Sequence, residues 1–206
     1  MTTLVPASME VEGVTAAQVA AKAADSAVVH NTGNETIAGT KTFSSQPVLP
    51  QALTQATAVA STSGTNIDFT SIPSWVKRIT VVLQGVSVSG TANILIRLGT
   101  SGGVEATGYL SQVNAFNNTP SGAADTTGVI FTWGNAAAYA WNGVIHIVNV
   151  SGNLWVANGT AMTTVVNSTS IFASSKTVAA TLDRIRLTTT NGTDTFDAGS
   201  INIIYE

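Results

Sequence analysis

Apolar and polar residues alternate with a period of two from residue 65 to the C terminus, which is the pattern of half-buried β-strands. Within residues 77–83, Ile79, Val81 and Leu83 share one face of the predicted strand. Gly85 interrupts this alternation and predicts a bulge or a change of phase at that point. The larger, C-terminal part of the chain is therefore expected to consist of β-strands.

Further strands are predicted at residues 93–99, 104–111, 128–133, 144–150, 154–157, 162–173, 182–190 and 195–205. The segment 144–150 is apolar on both faces, which predicts a central strand that is covered on both sides. The pair Asn191 and Gly192 predicts a hairpin between the last two strands. Many short strands with polar turns and no helix predict an antiparallel β-sandwich, of the jelly-roll kind, over residues 56–206.

Residues 1–55 follow a different pattern. Residues 15–27 predict one short, Ala-rich helix, which belongs either to a helical bundle or to the protein surface. An extended segment follows at residues 28–50, where Ile37 and Phe43 form a sparse apolar row. Such a row is too small to build a core within one chain. We therefore expect this extended segment to gain stability by packing against copies of itself or against another protein.

The composition narrows the class of protein. Charged residues make up only 9% of the 206 residues, against about 25% in an ordinary soluble domain. Hydroxyl and amide groups must therefore make most of the hydrogen bonds between the surface and water. The net charge of −3 and the lack of a basic cluster argue against a nucleic-acid partner. The chain has no cysteine, no recognisable signal peptide and no apolar run that predicts a membrane span. These features fit a virion component, which works outside the cell but is released by lysis.

Two stretches resemble segments of tailed-bacteriophage tail fibres and tail-tip proteins. The first is Thr36-Ile-Ala-Gly-Thr-Lys-Thr-Phe-Ser-Ser-Gln-Pro47. The second begins with Phe69-Thr-Ser-Ile-Pro-Ser-Trp-Val-Lys-Arg-Ile-Thr-Val81 and continues to Ile96-Arg-Leu-Gly-Thr-Ser-Gly-Gly-Val-Glu-Ala-Thr-Gly-Tyr109. Both occur in the order that is typical of the phage proteins and together span residues 31–111. The rest of the chain is similar to them only in its strand pattern.

The resemblance implies a homotrimeric virion protein that is made in the bacterial host cytoplasm and exposed on the phage tail. Residues 1–55 would attach it to other tail or baseplate proteins and would include the trimerisation segment. The β-domain, residues 56–206, would bind a host surface glycan or protein receptor. The alternative is a structural decoration of the capsid, collar or tail that binds no receptor. The trimerisation residues would be Ile37, Lys41, Phe43 and Val48.

The chain offers few residues for catalysis. His30 and His146 are the two histidines, and there is no cysteine nucleophile. The valines that alternate with His146 predict that it lies in a packed strand. Scattered carboxylates leave a glycosidase pair open, although the chain is short for the long β-helix of phage depolymerases. We expect no enzyme, no catalytic residue, no cofactor and no metal; a ring of His30 side chains on a three-fold axis is the alternative that would bind a metal.

Aromatic faces combined with polar groups are the chemistry of glycan sites. Tyr139 and Trp141, if exposed around the loop 134–140, would form a platform for a sugar. The competing expectation is that the other tryptophans serve the fold, with Trp133 and Trp155 in the core and Trp75 anchoring its first turn. A second polar loop is predicted at residues 114–127. The predicted ligand-binding residues are Tyr109, Asn117, Asn118, Asp125, Tyr139 and Trp141.

Overall fold

The computed structural model describes Thr40 and residues 53–116, 120–163 and 165–206. The predicted helix 15–27, His30 and the trimerisation residues Ile37, Lys41, Phe43 and Val48 lie outside these residues. Asn117 and Asn118 also lie outside them. The expectations for these positions therefore stay predictions.

The described chain is built from β-strands, and it contains no helix that could cross a membrane. The strands are β1 (Thr54–Gln55), β2 (Val59–Ala60), β3 (Asn66–Phe69), β4 (Arg78–Val88), β5 (Ile94–Thr100), β6 (Gly103–Val104), β7 (Tyr109–Phe116), β8 (Ser121–Asp125), β9 (Val129–Ile130), β10 (Trp141–Ser151), β11 (Leu154–Thr163), β12 (Ser168–Thr177), β13 (Leu182–Thr189) and β14 (Phe196–Tyr205).

The strands form two antiparallel sheets. The larger sheet has nine strands in the order β1-β14-β4-β10-β11-β12-β7-β8, with β2 also paired to β14. The smaller sheet has five strands in the order β3-β13-β5-β6, with β9 paired to β5. One buried cluster of apolar side chains draws on strands of both sheets. The prediction of a mainly-β, antiparallel, sandwich-like domain is confirmed.

Strand β4 shows how the sequence pattern sets the register. Ile79, Val81 and Leu83 are buried as predicted, and burial resumes at Val86 after the alternation breaks. Gly85 has a positive φ of 61°, and the register of β4 against both neighbouring strands shifts beside it. The predicted bulge is therefore confirmed, and it returns the strand to the core in a new phase.

The predicted hairpin at Asn191 and Gly192 is wrong. Strand β13 pairs with β3 and β5 in the smaller sheet, whereas β14 pairs with β4, β1 and β2 in the larger one. The connection at residues 190–195 therefore crosses from one sheet to the other. The Asn191 side chain accepts hydrogen bonds from the backbone N–H groups of Thr193 (3.0 Å) and Asp194 (3.1 Å), so the turn itself is real.

The predicted loop 114–127 is also wrong over much of its length. Strand β7 continues to Phe116, and β8 pairs back along it, with Ser121 opposite Ala115 and Asp125 opposite Ser111. The sequence of β8 is Ser-Gly-Ala-Ala-Asp, which has no alternating apolar row to reveal a strand. Main-chain pairing, rather than side-chain packing, therefore defines this strand.

The two ends of the domain differ in what lies there. Thr54 of β1 is opposite Tyr205, so the described chain enters the domain at the C-terminal end of β14, which we call the proximal end. Residues 89–93, 133–140 and 190–195 lie at the opposite end, because they flank Val88, Trp141 and Phe196. We call these three segments the distal loops.

Candidate functional site

The distal loops are held together by the buried side chain of Asn135. Its Nδ2 donates a hydrogen bond to the carbonyl oxygen of Ala92 (2.7 Å), and its Oδ1 accepts one from Nε1 of Trp141 (2.8 Å). The Ser87 hydroxyl donates to the carbonyl oxygen of Ala137 (3.1 Å). Buried polar contacts of this kind fix a loop in one conformation. The loop 133–140 is therefore preorganised by its own residues.

Asp194 ties the third distal loop to the first. Its Oδ2 accepts a hydrogen bond from the backbone N–H of Ala92 (2.9 Å), and its Oδ1 accepts one from Nδ2 of Asn191 (2.9 Å). The bond from Asn191, followed by that from Ala92, lowers the pKa of the Asp194 carboxyl below its usual range. Asp194 is thus ionised at neutral pH and engaged within the loops.

The structure revises the predicted aromatic platform. Trp141 is fully buried (0% exposed), so the expectation of an exposed indole is wrong; its N–H is used by Asn135. Tyr139 is half-buried and packs edge-on against Trp141, with ring centroids 6.5 Å apart. The outer surface of this loop includes the exposed residues Gly134, Ala137 and Ala138. The loop therefore presents small side chains and part of one tyrosine.

The other three tryptophans pack within the domain, in line with the competing expectation. They are Trp133, Trp155 and Trp75. Trp155 is buried in the core, while Trp133 and Trp75 are partly buried and pack against it. The Trp75 ring lies 6.1 Å from that of Tyr205, near the proximal end. Aromatic residue type alone therefore does not locate a ligand site in this chain.

Tyr109 is a structural residue rather than a surface contact. It is 1% exposed, and its hydroxyl oxygen accepts a hydrogen bond from the N–H of Leu98 (2.6 Å) and lies 3.0 Å from the carbonyl oxygen of Glu105. Burial raises the pKa of this hydroxyl. Nζ of Lys176 lies 5.3 Å from the ring centroid and 2.6 Å from Oε2 of Glu105. Tyr109 therefore cannot face a receptor in this conformation.

Asp125 closes the turn that follows β8. Its Oδ1 accepts hydrogen bonds from the backbone N–H and the hydroxyl of Thr127 (2.5 and 2.8 Å) and from the N–H of Gly128 (3.0 Å). This is the side-chain-to-backbone pattern of an Asx turn. An oxygen with three such donors has little capacity left for a ligand.

The predicted ligand residues do not converge. Tyr109 and Asp125 lie toward the proximal end, whereas Tyr139 and Trp141 lie at the distal end. Through the paired strands β8, β7, β12, β11 and β10, Asp125 is in register with Ile147. Ile147 is six residues from Trp141 along β10. At about 3.4 Å per residue, the two pairs are separated by about 20 Å along the strands. They do not form one site.

A different surface stands out on the larger sheet. The outward side chains of β7, β10, β11 and β12 form a continuous face, which we call the open face. Its apolar members are unusually exposed: Leu110 (74%), Phe116 (50%), Ile171 (43%), Met162 (41%), Val156 (40%), Val144 (39%) and Val148 (36%). Nothing within the described residues covers it. Strand β10 is central, as predicted, but the expectation that both its sides are covered is wrong for this part of the chain.

His146 lies in the middle of the open face and is exposed, so the expectation of a packed environment for it is also wrong. Its Nδ1 lies 3.3 Å from the Thr80 hydroxyl. The next three strands continue this row with the amides of Asn158 and Gln112, with Ala173 between them. We call it the polar row. The row crosses two shallow depressions of about 440 and 280 Å³, which are adjacent because both contact Ile171 and Phe172. The face therefore combines apolar patches with neutral hydrogen-bonding groups.

Charge is absent from the open face. Lys176 is the one charged residue in the sequences of β7, β10, β11 and β12, and it is buried on the opposite side of the sheet. The residues that the structure describes include no cluster of three or more histidine or carboxylate side chains suited to a metal ion. His30 lies outside them, so a metal on a three-fold axis stays an open alternative.

The chain was compared with protein-family models, with curated proteins and with solved structures, and nothing matches it in any of the three comparisons. The similarity of residues 36–47 and 69–109 to phage tail proteins therefore remains a prediction that those motifs make. The fold and the two surfaces described above are independent of it.

Proposed function

We propose that this chain is a tailed-phage virion protein of the tail-fibre or receptor-binding type. Residues 1–55 attach it to tail or baseplate proteins and bring copies together as a trimer, and the β-domain of residues 56–206, with jelly-roll connectivity, binds a host surface structure. A glycan is the preferred receptor class, with a surface protein as the other. The protein catalyses no reaction and needs no cofactor.

The observation that supports this proposal best is the polarity of the domain. The described chain enters beside Tyr205, and the distal loops begin beyond Phe196, at the other end of the ten-residue strand β14. At about 3.3 Å per residue, the strand separates the two ends by about 30 Å. The distal loops thus lie at the end of the β-domain opposite to the end where Thr54 enters it, which suits a protein that is anchored through its N-terminal residues.

The distal loops have properties that suit a receptor site. They are preorganised by Asn135 and Asp194, so little conformational entropy is lost when they bind. Their exposed groups are mainly backbone, amide and hydroxyl groups, which match the hydrogen-bonding needs of a sugar. Each site would be weak, and affinity would come from three copies per fibre and several fibres per particle.

The second candidate is a structural decoration protein without a receptor. It is favoured by the small side chains at the distal surface, where Ala137 and Ala138 replace the aromatic platform that a glycan site would be expected to offer. In this alternative, the β-domain only covers the capsid, collar or tail. An enzyme is a third and weaker candidate, which predicts that purified protein clears halos on lawns of the host.

Competition for host cells separates the first two candidates. We expect the purified full chain to reduce adsorption of its phage to host cells. The substitution Ala138→Arg in the exposed distal surface should weaken this competition at least tenfold. The matched control is Thr181→Arg, an exposed position near the proximal end, which should compete like the unsubstituted protein. Binding to virions without any competition for cells would favour the decoration protein and overturn the receptor-binding proposal.

A further inference from the structure

We infer that the open face is the surface on which further copies of this chain pack. The inference rests on the proposed assembly of copies, and it names the surface that they share. The starting observation is an exposed apolar face on a central part of the sheet: Ile171, Val156, Val144 and Val148 are each between 36% and 43% exposed. These side chains lie in two patches on either side of the row of His146, and exposed apolar patches rimmed by polar residues mark interaction surfaces on soluble proteins.

The lack of charged side chains on the open face favours a second copy of this chain as its binding partner. The chain as a whole carries a net charge of −3, so two copies repel each other weakly at long range. The open face is different, because Lys176 is the one charged residue of its four strands and points inward. Two copies can therefore meet there without burying an unpaired charge. A strongly basic or acidic partner would gain no complementary charge on this face.

The size of the face is sufficient for a stable contact. Four strands spaced at about 4.8 Å, each with about ten residues rising about 3.4 Å, cover about 650 Å². A specific interface buries about 800 Å² on each partner, with a total of about 1,200–2,000 Å². Packing the open faces of neighbouring copies around the proposed three-fold axis would therefore bury about 650 Å² on each copy, which is close to the value for one partner.

The polar row of the open face is also compatible with a second copy. His146 and Asn158 lie on neighbouring strands between the apolar patches, and Gln112 lies two strands further on. Amide side chains donate and accept hydrogen bonds, so the same groups on another copy can serve as their partners. Buried polar groups need such partners to avoid a large desolvation cost. The row would thus fix how two copies are aligned.

Cross-linking gives the most direct test, because the chain has no cysteine of its own. A single cysteine is introduced at Ala173→Cys in the open face, with Thr181→Cys as the exposed control elsewhere. At micromolar concentration, a short bis-maleimide should join most Ala173→Cys chains into covalent dimers. The control should give at least tenfold less. A face that binds a glycan, a tail protein or residues 1–52 of its own chain would give no such difference, and the inference would then be overturned.

The mass of the full chain in solution provides the second measurement. We expect the unsubstituted protein to be oligomeric. Val156→Asp or Ile171→Asp should raise the concentration at which it dissociates at least tenfold, because residues 1–55 would then hold the copies without the open face. Thr181→Asp should leave this concentration unchanged. A monomeric unsubstituted protein would overturn both this inference and the proposed trimer. An oligomer that survives both aspartates and shows no cross-link at Ala173→Cys would overturn this inference alone. Adsorption to cells remains a separate test of receptor binding.

Discussion

The two faces of strand β10 both carry apolar side chains, but they differ in what covers them. Ile145 and Ile147 are fully buried in the core, while Val144 and Val148, on the same strand, point outward and remain partly exposed. The chemistry of the two rows is nearly the same. The difference shows that an apolar row on a strand predicts that some surface buries it. That surface can belong to the second sheet of the same domain or to another molecule.

The largest expected difference between the two faces is in the cost of losing one apolar side chain. Ile147→Ala should lower the free energy of unfolding by about 2–5 kcal/mol, because it leaves a cavity in a packed core. Val148→Ala, at the next position, should change the stability of a single chain by only about 0.5 kcal/mol. Denaturant titration at high dilution measures both values.

Protein concentration sharpens this first comparison. If copies pack on the open face, the cost of Val148→Ala should rise with concentration, since assembly stabilises the folded state by mass action. The cost of Ile147→Ala should not depend on concentration. Equal costs for the two substitutions at every concentration would contradict the distinction between the faces.

The inner side of β7, β10, β11 and β12 holds the one charged residue of these four strands. Removing the partner of that residue should have the next largest effect. Lys176 is paired with Glu105 and lies over the Tyr109 ring. Glu105→Gln would leave the buried ammonium group without a counter-charge, which should cost about 2 kcal/mol of stability, below the 3–5 kcal/mol of a fully buried pair. Thermal or denaturant unfolding measures this cost.

The matched control for this pair is Asp68→Asn. Asp68 forms an ion pair with Arg186 that is much more exposed than the pair at Lys176. Such surface pairs contribute about 0–1 kcal/mol, so the control should have a small effect. A loss at Asp68→Asn as large as that at Glu105→Gln would show that burial does not set the value of these contacts.

Acid should act on the domain through Glu105 and Asp194. Desolvation tends to raise the pKa of Glu105, but the hydrogen bond from the N–H of Ala179 and the ion pair with Lys176 outweigh it and hold the pKa below 4.5. The stabilisation from Glu105 is therefore complete above pH 4.5 and is lost as the pH falls through the lower, folded-state value. Asp194 acts in the same direction.

Melting temperatures between pH 7 and pH 3 measure this acid effect. We expect a decline that begins below about pH 4.5 and is shallower in Glu105→Gln, which has no carboxyl to protonate at this position. A decline of equal steepness in both proteins would exclude Glu105 as a source of the pH dependence.

The sequence predicted strands well where one face was buried and the other polar. Ile79, Val81 and Leu83 alternate cleanly, and the phase change at Gly85 was visible as a break in that pattern. Strand β8 was missed, because Ser-Gly-Ala-Ala-Asp carries no apolar row. The partner of β13 was also missed, since an Asn-Gly pair marks a turn but does not say whether the chain returns to the same sheet.

The candidate site was harder to predict for a physical reason. An aromatic residue in a loop can be exposed, or it can anchor the loop, and the outcome for Trp141 depends on Asn135, which accepts its N–H. The exposure of the open face could not be predicted either. A strand with apolar residues on both sides is predicted to be buried on both sides, and the sequence does not show whether a second layer covers it. One sign of exposure was present: His146 alternates with Val144 and Val148, and histidine is less often buried than valine.

The smallest effect on a single chain, and the sharpest on assembly, is expected at His146. It is exposed on the outer face, so His146→Lys and His146→Gln should each change the stability of an isolated chain by only about 0.5 kcal/mol or less. In an assembly through the open face, His146→Lys would place one charge per copy in a charge-free contact, whereas His146→Gln would keep a neutral hydrogen-bonding group. Lysine should therefore disperse the assembly, and glutamine should preserve it, as measured by mass in solution at neutral pH. If both variants assemble equally well while keeping the same melting temperature, His146 lies outside every contact between copies, and the outer face differs from the inner one only in being exposed.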